Sequence, residues 1–267
     1  GGMNVFKRGL LPPLHMGQVW WRRPSTLPLV LLGMALCIIV AGGTIRINDA
    51  GESCPDWPQC FGTWGFDISE EEQGIYWDEN PDEIDSRGVD HRYTTFEIFS
   101  EWFHRLLVGI IAIPVLLNAI IAYKMIETYG KTVFRTTLFS GILLIIQALV
   151  GALTVSFDNV DWSVALHLSL ASIFTSSFLF QHFAMRRQEQ SRWELFSMNP
   201  EFVAANKTRV DSMVGAVFTL LILGAWVSST AGGQYNQGCS VGFPNGWPKC
   251  NGSLLPSFDG PGVIIQM

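Results

Sequence analysis

The sequence predicts an all-α integral membrane protein: a four-helix transmembrane bundle followed by the first helix of a second, repeated bundle. Of its 267 residues, 48% are hydrophobic and 15% are charged, whereas an ordinary soluble domain is about 25% charged. The apolar residues form stretches long enough to cross a hydrocarbon core about 30 Å thick, which takes roughly 20 helical residues. Two of these stretches run into similar cysteine-containing segments, and this indicates an internal repeat.

Hydropathy places five spans, which we expect to be helical because a helix satisfies its own backbone polar groups in lipid. The spans are Leu27–Ile45, Trp102–Tyr123, Thr136–Phe157, Trp162–Ala184 and Val210–Thr230. They divide the chain into an N-terminal segment (1–26), a first half (27–184) with a long acidic loop (47–101), a linker (185–209) and the start of a second half (210–267). The first span lacks a small-residue cleavage site, so we expect it to be retained as an anchor.

Basic residues flank the spans in three segments of the chain. They are Lys7, Arg8, Arg22 and Arg23 before the first span, Lys124, Lys131 and Arg135 after the second, and Arg186, Arg187, Arg192, Lys207 and Arg209 after the fourth. The positive-inside rule predicts that these segments are cytoplasmic. The N-terminus of this multi-pass cell-membrane protein is then cytoplasmic, and the cysteine-containing loops are extracytoplasmic. The sequence has no basic footprint for nucleic acid, so we expect no nucleic-acid partner.

The two copies of the repeat are the end of the first span and the end of the fifth span, each with the loop that follows it. The two segments are AGGTIRINDAGESCPDWPQCFG and SSTAGGQYNQGCSVGFPNGWPKCNG, and each contains Trp-Pro-x-Cys. A repeat unit with an even number of helices returns the chain to the same side of the membrane, as parallel repeats do. With a four-helix unit, the second half is incomplete here, and three further helices are expected beyond Met267.

Four cysteines lie in the loops predicted to be extracytoplasmic. An oxidising compartment favours two local disulfides, Cys54–Cys60 and Cys239–Cys250. A zinc site is the alternative, although the spacings differ from Cys-x-x-Cys and no histidine lies near either pair. Cys37 lies inside the first span, and we expect it to be a small buried apolar residue.

Two of the five histidines lie within spans. His104 and His167 are each a few residues from the outer end of an inward-running span, so they lie at similar depth on alternate helices. This arrangement favours two axial ligands of a haem iron, with interhelical hydrogen bonding as the alternative. Glu101 lies on the same helical face as His104, where it is either a solvated helix-start residue or a group that orients His104 or acts on a substrate. Arg105 either snorkels to the interface or pairs with haem propionates.

The remaining polar candidates are weaker. His15 and His91 lie in polar segments, and His182 lies at the cytoplasmic edge of the fourth span, so we expect no special role for them. Gln147, in the middle of the third span, is expected to hydrogen-bond between helices.

Five segments resemble the haem A synthase family. They are SCPDWPQC (Ser53–Cys60), EWFHRLLVG (Glu101–Gly109), QALVGALTV (Gln147–Val155), VALHLSLAS around His167, and WPKCNGSLLP (Trp247–Pro256). They occur in the family's order and at the expected helix ends. The resemblance implies an eight-helix protein of two four-helix halves, each able to hold a haem between two histidines.

The resemblance also implies an activity and roles for individual residues. The family oxidises the C8 methyl group of haem O, through a hydroxylated intermediate, to the formyl group of haem A for cytochrome oxidase assembly. His104 and His167 would be the haem-iron ligands of the amino-terminal half, Glu101 a catalytic acid, and Cys54–Cys60 the loop disulfide. The implied cofactor is haem b, held mainly in the other half, and haem O is the substrate. Besides membrane lipid, the candidate partners are haem O synthase, cytochrome oxidase assembly factors and a second copy of the chain.

The stretch Gly62–Phe96 departs from the family pattern because it is longer and more acidic. We interpret its acidic run Glu70–Glu72 as a solvated excursion, with a docking surface for a partner as the less favoured alternative. Three other functions use the same features. A bis-His electron-transfer protein would bind haem without oxidising it, a thiol-disulfide oxidoreductase would use the loop cysteines, and a transporter would use the repeat as a substrate path.

Overall fold

The computed structural model describes residues 23–189 and 199–229, with a few isolated positions between 245 and 254. Its α-helices are α1 (Thr26–Ile47), α2 (Glu70–Glu79), α3 (Thr95–Lys124), α4 (Ile126–Ser156), α5 (Asp161–Gln188) and α6 (Pro200–Ser229). All except α2 are long and apolar enough to cross a membrane. The predicted class, an all-α membrane protein with five spans, is therefore confirmed.

The membrane helices are longer than the predicted spans. Helix α3 begins at Thr95, not at Trp102, because Thr94 and Glu97 form a capping box. The Glu97 carboxylate accepts from the Thr94 backbone N–H at 2.7 Å, and the Glu97 N–H donates to the Thr94 hydroxyl at 3.3 Å. Hydropathy marks only the apolar part of a helix, so it missed this polar first turn and placed 95–101 in the loop. Helices α4 and α6 also begin earlier than predicted, for the same reason.

Four of the helices form a ring. Helix α1 packs against α3 and α5, and α4 packs against the same two, so α3 and α5 lie opposite each other across the interior. The core between them consists of Leu31, Ala35, Ile111, Val115, Leu143, Phe174 and Phe178. Large apolar side chains such as Ile113 and Ile145 point outward and are more than half exposed, as expected for residues that face lipid. Helix α6 packs on the outside of α5.

The two ends of the bundle differ in character. We call the end that carries the Cys54–Cys60 loop the loop end, and the opposite end, where Lys124 and Arg187 lie, the basic end. At the basic end the Glu189 carboxylate accepts hydrogen bonds from the backbone and hydroxyl of Ser25 at 3.0 and 2.7 Å and from the Tyr129 hydroxyl at 3.0 Å. These contacts tie the starts of α1 and α4 to the end of α5. The cytoplasmic location of this end remains a prediction.

Residues 48–94, between α1 and α3, form a small folded unit that we call the loop domain. Its core contains Cys54, Cys60, Phe61, Ile68, Trp77 and Tyr93, together with Ile98 of α3. Buried Gln73 of α2 bonds to both backbone groups of Tyr93, at 2.8 and 3.0 Å. The stretch Gly62–Phe96 is therefore folded, because its apolar and aromatic residues bury a core. Its acidic run Glu70–Glu72 is exposed, as the sequence predicted for this run.

Candidate functional site

The two histidines predicted as haem ligands, His104 and His167, lie at the loop end, on the opposite helices α3 and α5. His104 lies in the third turn of α3 and His167 in the second turn of α5, and both helices run from the loop end to the basic end. Because α3 and α5 face each other across the ring, the two histidines lie at the same end of opposite helices. The structure therefore brings together the pair that the sequence predicted.

Neither imidazole is fully satisfied by the protein. The Nδ1 atoms of His104 and His167 are buried and have no hydrogen-bond partner among the described residues. Leaving a buried polar atom without a partner costs about 1–3 kcal/mol. The histidine pair is therefore suited to a ligand that binds to the imidazole rings. Either nitrogen of a neutral imidazole can bind a metal.

The donor set suits a haem better than a bare metal ion. The part of the chain that the structure describes contains no cluster of three or more His, Cys, Asp or Glu side chains that could hold a metal. A haem iron already has four porphyrin nitrogens and takes its axial ligands from the protein. Two opposed histidines are sufficient for such an iron, whereas a zinc site needs three or four protein ligands.

Glu101, one turn before His104, is occupied by the loop domain. Its Oε2 accepts from the Ser53 hydroxyl at 3.1 Å and from the Cys54 backbone N–H at 3.0 Å. Its Oε1 accepts from Arg105 at 2.6 Å, and the two side chains are 5% and 14% exposed. Glu101 is thus a buried, paired carboxylate that fastens the loop domain to α3.

Arg105 holds the same loop from its other side. Its Nη1 donates to the carbonyls of Asp56 and Gln59, the latter at 2.6 Å, and its Nη2 donates to the Cys54 carbonyl at 2.7 Å. With the bond to Glu101, these contacts use four of the five N–H donors of a guanidinium. The group that the sequence offered as a propionate partner is therefore engaged with the protein backbone.

The predicted disulfide Cys54–Cys60 is confirmed, and both of its sulfurs lie in the buried core of the loop domain. The second predicted disulfide, Cys239–Cys250, lies outside the described residues. Cys37 is exposed, not buried as the sequence predicted. Helix α1 packs through the face that carries Leu31 and Ala35, and Cys37 comes two residues after Ala35, so it points away from the bundle.

Sequence reasoning missed two glycines that contact the histidine rings. Gly42 of α1 lies against His104, and Gly151 of α4 lies against His167. On the same face of α4, Gln147 donates to the His167 carbonyl at 3.0 Å, which confirms its predicted interhelical bond. Both glycines occur in motifs that the sequence had singled out for other reasons, AGG and QALVG, but spacing alone does not reveal a ring contact between helices.

Glu52 connects the loop domain to the turn between α4 and α5. Its Oε1 accepts from the Asn159 side-chain amide at 3.1 Å, and its Oε2 lies 3.7 Å from Arg87 Nε. Burial raises the pKa of the Glu52 carboxyl, and the bond from Asn159 and the Arg87 charge oppose that rise. This contact joins the two chain segments that flank the histidine pair at the loop end.

Known proteins are similar to this chain over most of its length. Three relatives, all named heme A synthase, come from Shouchella clausii (25% identity, 87% of this chain and 65% of the relative), Geobacillus kaustophilus (25%, 89% and 62%) and Bacillus pumilus (26%, 78% and 58%). The chain thus spans about three fifths of the length of these curated relatives. No solved structure is significantly similar to it. The family model COX15-CtaA, described as cytochrome oxidase assembly protein, matches residues 25–264, and the chain belongs to that family.

Proposed function

We propose that this chain takes part in haem A biosynthesis and binds haem O between His104 and His167. The observation that carries the proposal is the pair of imidazoles on opposite, co-directional helices, each with a buried Nδ1 that has no partner among the described residues. Relatives named heme A synthase support the same substrate class. The histidines would bind the iron, and the apolar helices around them would hold the porphyrin.

The proposed reaction is oxidation of the C8 methyl group of haem O to a formyl group. This conversion withdraws four electrons and introduces one oxygen atom, so it requires an electron acceptor and an oxygen donor besides the haem. The chain's own contribution would be to fix the iron and to keep the ring edge at the loop end. A haem b prosthetic group, held mainly in the other half, stays a prediction from the family resemblance.

Glu101 and Arg105 have contacts that support a positioning role. Together they anchor the segment from Cys54 to Gln59 above the histidine pair, through bonds that engage both oxygens of the Glu101 carboxylate. We propose that this segment closes the loop end of the site. The catalytic role expected for Glu101 would require release of its bonds to Ser53, Cys54 and Arg105, and it stays a prediction.

The thiol-disulfide alternative is disfavoured by burial. Cys54 is 0% exposed and Cys60 is 1% exposed, whereas exchange requires a thiolate to reach a disulfide sulfur. The electron-transfer alternative uses the same histidines as the proposed enzyme, and it differs in leaving the haem unchanged. Analysis of the product therefore separates it from haem O oxidation.

The test is the reduced-minus-oxidised visible spectrum of the purified protein supplied with haem O. We expect the signal of a low-spin six-coordinate haem, lost in His104→Ala and in His167→Ala. His91→Ala is the matched control, because His91 lies in the loop domain, outside the bundle. A signal that survives both bundle substitutions would refute the site. Conversion of the bound haem to haem A, followed by chromatography of the extracted pigment, then tests the reaction.

A further inference from the structure

The two histidine rings are packed directly against glycine backbone of the neighbouring helices. We infer that Gly42 and Gly151 are positioning residues that set the orientation of the His104 and His167 imidazoles toward a haem iron. This inference rests on the proposed haem site and extends it to a second pair of helices, α1 and α4.

The contacts are too close for a methyl group to be added without a shift of the ring. A Cβ at position 42 would lie 3.3 Å from Cε1 and 3.7 Å from Nδ1 of His104. One at position 151 would lie 3.2 Å from Cε1, 3.7 Å from Nε2 and 3.8 Å from Nδ1 of His167. Optimal contacts between carbon atoms are about 3.5–4.0 Å, so in both cases the ring would have to move away from the glycine.

The close contact is specific to these two positions. The other glycines of the described membrane-spanning helices have nothing within 4 Å of an added Cβ; they are Gly33, Gly43, Gly109, Gly130, Gly141, Gly215 and Gly224. The two exceptions lie on different helices, and the neighbour of each is a different histidine of the pair. Packing of glycine in membrane helices is common, but general packing does not explain why both exceptions face the candidate ligands.

The two halves of the site have the same construction. Helix α1 flanks α3 and presents Gly42 to His104, and α4 flanks α5 and presents Gly151 to His167. In both, the nearest ring atom is Cε1, the carbon between the two nitrogens. The same edge of each imidazole therefore rests on a backbone, which blocks rotation of the ring toward that helix.

Steric contact would here act beside the usual means of orienting a ligand, since the His104 ring also interacts with the backbone of Ile38 on α1. Metal-bound histidines ordinarily donate their second ring nitrogen to a carboxylate or carbonyl, and this bond fixes the plane of the ring. Nδ1 of both histidines has no partner among the described residues, so such a bond does not fix them through that atom. Gln147 lies four residues before Gly151 on α4 and donates to the backbone carbonyl of His167. This bond holds the backbone of His167, whereas Gly151 contacts its ring.

Substitution of either glycine by alanine should therefore change the spectroscopic and redox properties of the bound haem without removing a histidine ligand. Gly42→Ala would push the His104 ring, and Gly151→Ala the His167 ring, by a few tenths of an ångström. We expect each to shift the midpoint potential and the low-spin electron paramagnetic resonance signal of the bound haem, because both depend on axial-ligand geometry. The double variant should show the larger shift and a partial loss of the low-spin form.

The matched controls are Gly43→Ala in α1 and Gly141→Ala in α4, which add the same methyl group where it meets nothing within 4 Å. All variants are purified, loaded with haem O and compared by resonance spectrum, midpoint potential and haem stoichiometry. Shifts confined to positions 42 and 151 support the inference, and equal shifts at all four positions, or none, overturn it. If the parent protein shows no low-spin haem, the haem site itself fails and the inference fails with it.

A second experiment separates ring positioning from helix packing. In His104→Gly, the missing ligand is supplied as free imidazole, which can adjust its position. Gly42→Ala in this background should give the same low-spin spectrum as His104→Gly alone, because no tethered ring remains to be displaced. If the defect of Gly42→Ala persists with free imidazole, the glycine acts through packing of α1 on α3, and the inference is overturned.

Discussion

Helices α3 and α5 face each other at two levels, and the two levels are built differently. At the loop end they present the histidine pair, His104 and His167. Each helix carries an amide side chain 14 residues after its histidine, Asn118 in α3 and Gln181 in α5. Fourteen residues span about 21 Å along a helix and return close to the same face. We call the histidine layer the upper level and the amide layer the lower level. This amide pair bonds directly across the bundle, with Asn118 Nδ2 donating to Gln181 Oε1 at 2.6 Å.

The amide pair is supported by a network that the histidine pair lacks. Gln181 Nε2 also donates to the Ser140 hydroxyl at 2.7 Å and the Thr136 carbonyl at 3.3 Å, and Ser140 shares a 2.7 Å bond with Ser177. Among the described atoms of this layer, Asn118 Oδ1 alone is buried without a partner. The buried polar atoms of the lower level are therefore nearly all hydrogen-bonded between helices, whereas Nδ1 of both histidines in the upper level has no partner among the described residues. The difference supports the proposal that the binding site lies at the loop end.

The largest effect on haem binding is expected when the two histidines of the upper level are replaced by the amide residues of the lower level. The double variant His104→Asn/His167→Gln replaces both candidate ligands with amides that can bond to each other as Asn118 and Gln181 do. We expect complete loss of the low-spin haem spectrum with no fall in the thermal unfolding temperature of the haem-free protein. A haem signal that persists at normal stoichiometry would contradict the contrast between the two levels.

Removal of the Glu101 carboxylate should have the next largest effect, on the loop domain that covers the upper level. Glu101→Ala leaves the Arg105 charge and the Cys54 N–H without their buried partner, and breaking a buried ion pair costs about 3–5 kcal/mol. We expect faster proteolysis of residues 48–94 and a lower unfolding temperature. Glu71→Ala is the control, since Glu71 is exposed on α2. Equal behaviour of the two variants would show that Glu101 does not anchor the loop domain.

The sequence predicted the histidine pair because an ionisable side chain is rare within an apolar membrane span and is therefore easily recognised. It predicted the Cys54–Cys60 disulfide because both residues lie a few positions apart in one loop. The ring arrangement that places α3 opposite α5 depends on packing between distant helices, which hydropathy does not encode. The core of the loop domain could not be predicted, because its apolar residues, Trp77 and Tyr93 among them, are scattered between acidic ones and form a core only after folding.

The roles of Glu101, Arg105 and the two glycines could not be read from their spacing. Glu101 and Arg105 lie one turn apart, which predicts a pair, but their bonds to Cys54 and Gln59 depend on how the loop folds back. The contacts of Gly42 and Gly151 cross between helices that are far apart in sequence. Residues that act through such long-range contacts have no local pattern, whereas a histidine in a membrane span has one.

The amide pair offers a smaller and more quantitative test. Hydrogen bonds between membrane helices contribute about 0.6 kcal/mol on average and up to about 1.7 kcal/mol. We expect Asn118→Leu and Gln181→Leu to be coupled by about that amount in a double-mutant cycle of unfolding, with little change in the haem spectrum. Coupling near zero would mean that the direct bond does not stabilise the lower level. A large spectral change would show that the two levels are not independent.

The smallest expected effect is the pH dependence of the contact between the loop domain and the α4–α5 turn. Burial raises the folded-state pKa of Glu52 above its ordinary value of 4.5, so folding favours the protonated carboxyl. This contribution to stability is fully present below about pH 4.5 and is lost as the pH rises through the folded-state pKa. Glu52→Gln keeps an acceptor for Asn159 and should remove that decline, measured as thermal unfolding of the loop domain across this pH range. The exposed Glu71→Gln should leave it unchanged, and a decline that survives Glu52→Gln would assign the titration to another group.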